Sequence, residues 1–423
     1  MKNIIYFLSL IITFSSFSQE KITDSIQGTK QNLDEVIVES VRVKYSSPIT
    51  HSNILKSELS SKNLGQDLPV LLNFLPSVVT TSDAGAGIGY TGIRIRGVSA
   101  QSTNITINGI PFNDPESHGT YWVNLPDFTS SVESLQVQRG VGTSTNGSGA
   151  FGASINILTD AISNNPYAEI SNSVGSYNTL KHTVKFSTGK LSDSFEFSGR
   201  LSKIDSDGYV DRAYSDLKSY FIQGAYIKGN TLIKALTFGG HEKTYQSWFG
   251  VTKEQLLENR RQNPYTYENE IDNYKQDHYQ FHWNQKLNHK WSTNLGLNYT
   301  YGRGYFEQFR DDDSIETYGG IVVSDIDQQG NKTGTTDLIR RRWLDNNFYV
   351  LNASANYKTS KLNLTFNSSF STYSGDHYGE VVWARNFNKN SSVRDRYYNG
   401  NGKKTDFSVF AKASYLLSNK LID

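Results

Sequence analysis

The chain has 423 residues, of which 42 are Lys or Arg and 41 are Asp or Glu, so its formal net charge is +1. This near equality of basic and acidic residues gives no reason to expect a nucleic-acid partner or a polybasic contact with a membrane surface. The sequence has no cysteine, which excludes a disulfide-stapled fold. It has 26 Tyr, 22 Phe and 34 Gly beside a single Met, which indicates a chain rich in strands.

Residues 1–18 have the pattern of a cleavable secretion signal. Lys2 supplies the positive charge, residues 4–14 form an apolar run, and the small residues around Ser18 suit cleavage before Gln19. The apolar run is too short for a transmembrane anchor, and no basic stop-transfer cluster follows it. The sequence therefore predicts an exported protein.

Residues 19–40 form a predicted linker that carries one short strand-like segment. Residues 20–32 are polar and lack periodicity, which is typical of a flexible tether. The segment LDEVIVES follows at 33–40, and its β-branched residues favour an extended backbone. A tethered strand with unpaired amides can add itself to the edge of another protein's sheet. The alternative is that this segment is the first strand of the domain that follows.

Residues 41–160 mix helical and strand patterns and predict a small α+β domain. The segment DLPVLLNFLPSV has leucines at the spacing of a short amphipathic helix, namely Leu68, Leu71, Leu72 and Leu75. Three compact strands follow, in TGIRIRGV, TNITINGI and VESLQVQRG. Asn108-Gly109 lies between two alternating runs and predicts a hairpin turn.

Residues 161–423 consist of segments of about ten to fifteen residues that alternate in period two. In FYVLNASANY one face is apolar with an aromatic residue at each end: Tyr349, Leu351, Ala353, Ala355 and Tyr357. Short turns alternate with four long connections, at 205–217, 244–275, 305–345 and 375–403. Together with the negative mean hydropathy of −0.52, these features predict an antiparallel transmembrane β-barrel. Its short turns are expected in the periplasm and its long loops outside the cell.

The size of the predicted barrel raises a question about the chain. About ten strands are present, and ten strands close at a backbone radius of roughly 11 Å. The preceding domain of about 120 residues has a radius of gyration of about 14 Å, so it cannot fit inside a ten-stranded barrel. About twenty-two strands give a radius of roughly 24 Å, which would hold it. Either the chain is truncated from a barrel of about 22 strands, or the domain lies outside a smaller barrel. Because the sequence stops at LLSNKLID, the start of a further strand, we expect the truncated chain.

Three ordered motifs give the chain a family resemblance. GIRIRGV (92–98), NITINGIPFND (104–114) and the stretch from SVESLQVQRG to GASINILT (131–159) resemble the plug domain of TonB-dependent outer-membrane receptors. The resemblance implies that residues 41–160 form a plug inside the barrel. It also implies active import of a scarce ligand across the outer membrane of a Gram-negative bacterium, energised by TonB with ExbB and ExbD.

The ligand and the rival functions stay open at this point. A ferric siderophore or another iron chelate is the leading substrate class, and cobalamin or an oligosaccharide is the alternative within the same mechanism. A non-transporting adhesin or structural barrel is a second class of function, although it would not need a tethered strand and a plug before the barrel.

The resemblance assigns roles to two sets of residues. The tethered strand resembles the TonB box, whose residues here are Leu33, Asp34, Glu35, Val36, Ile37 and Val38. The plug arginines Arg94, Arg96 and Arg139 are implied to pair with acidic residues of the barrel wall. The alternative for the arginines is that they are solvated charges on strands.

Two plug loops are predicted to face the ligand. The first contributes Ser99, Gln101 and Ser102, and the second, at 113–124, contributes Glu116, His118, Tyr121 and Trp122. Aromatic and chargeable groups on a loop suit the stacking and hydrogen bonding of a bulky polar ligand. The alternative is a loop that Tyr121 and Trp122 pack against the barrel wall.

No pattern of catalytic, cofactor-binding or metal-binding residues is present in the sequence. His278 and His282 lie four apart on a strand, hence about 13 Å from each other, which is too far for one ion. Asp311–Asp313 lacks the spacing of an EF-hand, and no Gly-Lys-Ser/Thr follows the glycines at 142–152. We therefore expect no enzyme, no cofactor and no metal site.

Overall fold

A computed structural model describes residues 42–43, 49–142, 151–319, 326, 329–332, 334–385 and 387–417. The predicted secretion signal and TonB box lie outside these residues, as do Gly147 and Gly149 of the glycine-rich stretch. Within the described ranges, no helix combines the length and the apolar character that crossing a membrane requires.

The first domain is α+β, as predicted. Its elements are β1 (His51–Leu55), α1 (Lys56–Ser60), α2 (Leu68–Leu71), β2 (Val78–Ser82), β3 (Thr91–Ile95), β4 (Thr103–Ile107), β5 (Ile110–Pro111), β6 (Val132–Arg139) and β7 (Ala153–Thr159). Five strands form a sheet of order β1-β6-β7-β4-β5, in which β4 and β7 run parallel and the other pairs antiparallel. β2 and β3 form a separate hairpin.

The leucine stripe of the predicted helix is buried, but the helix itself is short. Leu68, Leu71, Leu72 and Leu75 are each at most 8% exposed, which confirms the apolar face. Regular α-helix nevertheless ends at Leu71, and a turn follows. A proline disfavours helical backbone at the residue before it, so Pro76 restricts the continuation at Leu75.

Asp67 stands just before α2 and has an unusual protonation equilibrium. Its side chain is 4% exposed, and the Thr91 hydroxyl donates a 2.9 Å hydrogen bond to its Oδ2. Burial raises the pKa of Asp67 to about 8, and the bonds from Thr91 and the Gly89 amide offset only part of that rise. The carboxyl group is therefore protonated in the folded domain at pH 7.

Hydrogen exchange of residues 67–91 is expected to depend on pH through Asp67. An unfolded aspartate ionises near pH 3.9, so the folded state holds the proton more tightly and stability falls as pH rises towards 8. Between pH 6 and pH 8 the loss is about 2.3 kcal/mol. We expect Asp67→Asn to remove this dependence, and the exposed Asp193→Asn to retain it. An equal pH dependence in both variants would contradict the assignment.

The predicted Asn-Gly turn joins β4 to β5 and reaches the second sheet. Asn108 and Gly109 have φ values of 53° and 79°, as a type I′ turn requires at both central positions. The Asn108 side-chain amide donates to Gln280 Oε1 at 3.1 Å, and the Gly109 carbonyl accepts from Asn352 Nδ2 at 2.9 Å. The turn thus fixes the end of the first sheet against the second.

The second sheet has ten antiparallel strands that follow one another in chain order. They are β8 (Tyr167–Gly175), β9 (Thr179–Ser187), β10 (Phe195–Ser206), β11 (Ser215–Lys228), β12 (Thr231–Tyr245), β13 (Ile271–Lys286), β14 (Trp291–Ser314), β15 (Thr335–Lys358), β16 (Leu362–Ala384) and β17 (Arg396–Tyr415). A short helix, α3 (Lys253–Glu258), lies between β12 and β13. The prediction of about ten strands is confirmed.

The two faces of the large sheet separate as the alternation predicts. On β15, Val350 and Asn352 are buried, whereas Tyr349 and Leu351 on the other face are exposed. Tyr349 belongs to an outward-facing row in which the rings of Tyr279, Tyr299 and Tyr349 lie 5.9 and 4.8 Å apart. The rings of Trp291 and Tyr357 form a second pair at 5.0 Å, eight residues along β15, a spacing of about 26 Å. Two aromatic levels on the outward face suit the two interfaces of a membrane.

Two long connections are shorter than predicted. β14 continues to Ser314 and β15 begins at Thr335, so the predicted loop 305–345 shrinks to 315–334. The loop 375–403 likewise shrinks to 385–395, and Asp311–Asp313 lies on β14 rather than in a loop. These strand ends carry polar residues on both faces, as in DLIRRR at 337–342. Without an apolar face they lack the alternation that marks a strand.

Candidate functional site

A cavity of about 840 Å³ lies between the α+β domain and the large sheet, at the end with the long connections. Eleven aromatic side chains line it: Tyr90, Phe112, Tyr121, Trp248, Tyr274, Tyr305, Phe306, Trp343, Phe348, Tyr373 and Tyr398. Its volume lies in the range of small-molecule sites, and aromatic walls offer flat apolar contact with polar edges. The cavity can therefore enclose a bulky ligand.

The loop after β5 forms one wall of the cavity, and its conformation follows from its sequence. The Asp114 side chain accepts hydrogen bonds from the backbone amides of Glu116 at 3.1 Å and Ser117 at 2.7 Å. Such side-chain bonds to amides two and three residues on are characteristic of Asp in turns. Asn113 Nδ2 also donates to the carbonyls of Thr103 and His118. The loop thereby presents Glu116 to the cavity.

Glu116 connects this loop to the large sheet. Its Oε2 accepts hydrogen bonds from Tyr373 OH and His377 Nε2 on β16, both at 2.8 Å. On β17, Lys404 Nζ donates to the Pro115 carbonyl at 2.9 Å and to His118 Nε2 at 3.0 Å. Because Glu116, Tyr373 and His377 also line the cavity, a ligand that enters it contacts the bonds that hold the loop.

The inner wall of the cavity has polar atoms without partners. His278 lies between the rings of Phe112 and Phe238, at 5.1 and 4.7 Å, and its Nδ1 bonds to Thr300 Oγ1 at 2.8 Å. His278 Nε2 and Asn124 Oδ1 have no hydrogen-bond partner in the described part of the chain, although both residues are more than nine-tenths buried. Unpaired buried polar atoms are costly, and a bound ligand is one way to satisfy them.

Tyr90 joins the hairpin β2–β3 region to the acidic side of the cavity. Its hydroxyl donates to Asp272 Oδ2 of β13, and Glu242 of β12 lies nearby on the same inner face. Burial, together with the carboxylates of Asp272 and Glu242, holds the pKa of Tyr90 well above its ordinary value. Tyr90 therefore remains a hydrogen-bond donor to Asp272.

Two buried ion clusters outside the cavity attach the domain to β9 and β10. Asp127 contacts Lys181 Nζ at 2.7 Å and Arg200 at 3.3 Å, and all three side chains are at most 2% exposed. Thr183 and Ser202 also donate hydroxyl bonds to its Oδ2. Burial alone would raise the pKa of Asp127, but Arg200 and Lys181 hold it below its ordinary range.

The second cluster centres on Asp160, just after β7. Its two carboxylate oxygens contact Lys56 Nζ at 2.7 Å and Lys185 Nζ at 2.6 Å. Again burial opposes ionisation, and Lys185 and Lys56 lower the pKa of Asp160 overall. Asp127 thus lies against two basic residues of the sheet, whereas Asp160 contacts Lys185 of the sheet and Lys56 of α1 in its own domain.

The predicted arginine contacts are not the ones that join the two parts. Arg139 donates to the Pro76 carbonyl at 3.0 Å and to Ser52 Oγ at 2.9 Å, so it contacts its own domain. Arg94 and Arg96 are exposed, and neither forms an ion pair with the described strands. The prediction is wrong for Arg139 because β6 is an inner strand whose end lies against β1. The sequence signal for the true contacts between the domain and the sheet was the set of basic residues at the inward-facing positions 181, 185 and 200.

The predicted ligand-facing residues divide between the cavity and other sites. Glu116 and Tyr121 line the cavity, and His118 lies in the same loop against Lys404. Trp122 is 3% exposed in the apolar core, so its assignment to a ligand contact is wrong. A 3-10 helix at Trp122–Asn124 turns its ring inwards.

The first predicted loop lies away from this cavity. Ser99 and Gln101 are exposed, and Ser102 is buried with its carbonyl accepting from Gly152 N at 2.9 Å. None of the three lines the cavity as the described residues form it. Nor do the described residues contain a group of three His, Asp or Glu side chains placed to hold a metal ion.

Comparisons with known proteins agree with this architecture. Residues 43–154 match the family model of the TonB-dependent Receptor Plug Domain, close to the predicted limits of 41–160. A curated relative, the probable TonB-dependent siderophore receptor PirA of Acinetobacter baumannii, is 23% identical over 235 residues, which are 52% of this chain and 29% of PirA.

Two solved structures share the fold at low identity. The closed form of the ferric-catecholate import receptor Fiu of E. coli K12 has a TM-score of 0.64 at 14% identity, over 90% of this chain and 55% of Fiu. The ferric preacinetobactin receptor BauA of Acinetobacter baumannii has a TM-score of 0.60 at 10% identity, over 88% of this chain and 56% of BauA. The chain thus spans about half the length of these receptors.

The plug domain and the meander of strands together define a class of receptor, in which a plug precedes an antiparallel barrel sheet. Residues 43–154 are thus a plug domain of the TonB-dependent receptor type, and the ten-stranded sheet has the fold of the barrel strands in the solved receptors.

Proposed function

We propose that this protein imports an iron chelate across the outer membrane of a Gram-negative bacterium, with energy supplied by TonB, ExbB and ExbD. The observation that carries the proposal is the aromatic cavity at the end of the long connections, whose wall includes the plug residues Tyr90, Glu116 and Tyr121. A ligand bound there touches both the plug and the strands, so its arrival can alter the contacts that hold the plug. The relatives named for siderophores support this substrate class.

The tethered segment is the part of the chain through which TonB would transmit energy to the plug. Residues 33–38 precede the plug and have the sequence of a strand that pairs with another protein's sheet edge. A pull along the chain would load the paired backbone bonds together and act on the plug. The charged contacts of Asp127 and Asp160 and the hydrogen bonds of Glu116 are the attachments that such a pull meets.

Uptake of radioactive iron under iron limitation tests the proposal. Cells that express the receptor from its own gene are expected to accumulate iron from a bound chelate, and cells without the gene are expected to lose that uptake. Deletion of tonB or addition of a protonophore should stop accumulation while the chelate still binds at the cell surface. Accumulation that persists without TonB would contradict the proposal. Cells that express the protein but bind no chelate would also contradict it, and would favour an adhesin-like role.

A further inference from the structure

The wall of the cavity is acidic, and this limits the charge of the ligand. Five carboxylates line it: Asp83, Asp114, Glu116, Glu242 and Asp272. Among the described lining residues, Arg342 is the only one with a permanent positive charge, beside the histidines His278 and His377.

Most of these carboxyl groups have no basic partner in the part of the chain that the structure describes. Glu116 bonds to His377, but the other four have no Lys or Arg partner within the described ranges. By contrast, Asp127 and Asp160, which lie outside the cavity, each contact two basic side chains. Carboxyl groups without a basic partner are therefore concentrated at the cavity.

Glu242 and Asp272 form the most buried part of this acidic wall. They lie on the paired strands β12 and β13, where Thr244 is opposite Asp272, so the two carboxylates are neighbours on the inner face. Both are at most 9% exposed. Their described partners are hydroxyl groups, from Thr244 to Glu242 at 3.1 Å and from Tyr90 to Asp272. Burial and mutual repulsion disfavour ionisation of two adjacent carboxyl groups, and a positive group beside them would relieve this.

A second observation in the same wall points to a ligand that donates hydrogen bonds. Asn124 Oδ1 is buried without a partner among the described residues, and a carbonyl oxygen can only accept. His278 Nε2 lies without a partner in the same wall, and its ring is held on both faces. An ammonium or amide N–H of a ligand would satisfy Asn124.

The one arginine of the wall is bound to aromatic rings. Arg342 Nε donates to Tyr398 OH at 3.2 Å, and its guanidinium lies 5.6 Å from the ring centres of Phe306 and Tyr398. Stacked in this way, the guanidinium forms part of the aromatic surface. It is a single positive charge against five carboxylates.

We propose that this cavity selects a ferric chelate of zero or positive net charge, of the trihydroxamate type, over an anionic chelate; this inference rests on the proposed function. Three hydroxamates balance the charge of Fe³⁺, and a pendant ammonium makes the complex a monocation. Three catecholates instead leave a trianion. Charges interact more strongly beside a protein wall than in bulk solvent, so the acidic wall attracts the monocation and repels the trianion.

A series of chelates with one iron centre and different charges tests the inference. A linear ferric trihydroxamate with a terminal ammonium carries +1, its N-acetylated form is neutral, and its N-succinylated form carries −1. Binding of each to outer membranes that contain the receptor is measured with radioactive iron, with a ferric tricatecholate as the trianion. We expect affinity to fall in the order of charge, by about tenfold or more between the +1 and −1 forms at low salt.

The variant Glu242→Gln with Asp272→Asn connects this order to the cavity. It should bring the affinities for the +1 and −1 forms closer together, whereas the exposed pair Glu169→Gln with Asp193→Asn replaces the same two side-chain types and should leave the ratio of the two affinities unchanged. Equal or tighter binding of the anionic forms would overturn the inference while leaving TonB-dependent iron uptake intact. Failure of all four chelates to bind would overturn the inference and the proposed function together.

Discussion

Deletion of residues 33–38 is expected to reduce ligand accumulation to background while surface binding continues at the wild-type level. The ligand cavity is built from residues far along the chain, between Asp83 and Tyr398, so the deletion leaves it intact. The lost element is the extended segment whose amides and carbonyls would pair with the edge of a TonB sheet. Binding and accumulation of radioactive chelate, measured in the same cells at low and normal temperature, separate the two effects.

A point variant gives a sharper form of this test. Ile37→Pro keeps the length of the tether but removes one amide and blocks its ladder bond, so it should abolish accumulation as the deletion does. Gln27→Pro lies in the polar part of the linker and should have no effect. Unchanged accumulation in Ile37→Pro would contradict the assignment of a TonB box.

Asp127→Ala is expected to detach the plug from β9 and β10. The substitution leaves Lys181 and Arg200, both at most 2% exposed, buried without their counter-charge. Removing one partner of a buried ion cluster costs about 3–5 kcal/mol. Cells that carry the variant should become sensitive to large antibiotics that the outer membrane excludes, and the plug should be cut faster by protease in outer-membrane vesicles.

The exposed ion pair of Asp216 provides the matched control. Asp216 and Lys203 are 40% and 32% exposed on the outward face of β10 and β11, and such a pair contributes about 0–1 kcal/mol. Asp216→Ala should therefore leave protease resistance unchanged. Replacing Lys181 and Arg200 by Met in the Asp127→Ala background should restore much of the resistance, because it removes the stranded charges. Similar behaviour of Asp127→Ala and Asp216→Ala would show that the buried cluster does not hold the plug.

Features that depend on neighbouring residues in the sequence were predictable. The Asn108-Gly109 turn needs two positive φ values, and the Asn-Gly dipeptide predicts them because both residues tolerate this conformation. The alternation of β15 predicted which side chains are buried and which face outwards, since the strand period is two. The order of the plug motifs predicted the plug domain that the family model matches over residues 43–154.

The candidate site depends on residues that the sequence keeps far apart. Glu116 and His377 are separated by 261 positions, and only the register of β16 against its neighbours brings them together. The assignment of Trp122 was wrong because the sequence pattern of an aromatic residue in a polar loop is the same whether its ring points to a ligand or to the core. The charge contacts of Asp127 were missed because an isolated aspartate gives no sign of its partners.

The position of Asp127 and Asp160 has a consequence for biogenesis. Their partners on the large sheet lie on β9 and β10, which follow the plug closely in the chain: Thr183 is 56 positions and Arg200 is 73 positions beyond Asp127. Short loops close at a smaller entropic cost than long ones, and contacts between close segments form early. We therefore expect these contacts to form early in folding, before the strands from β11 onwards complete the sheet.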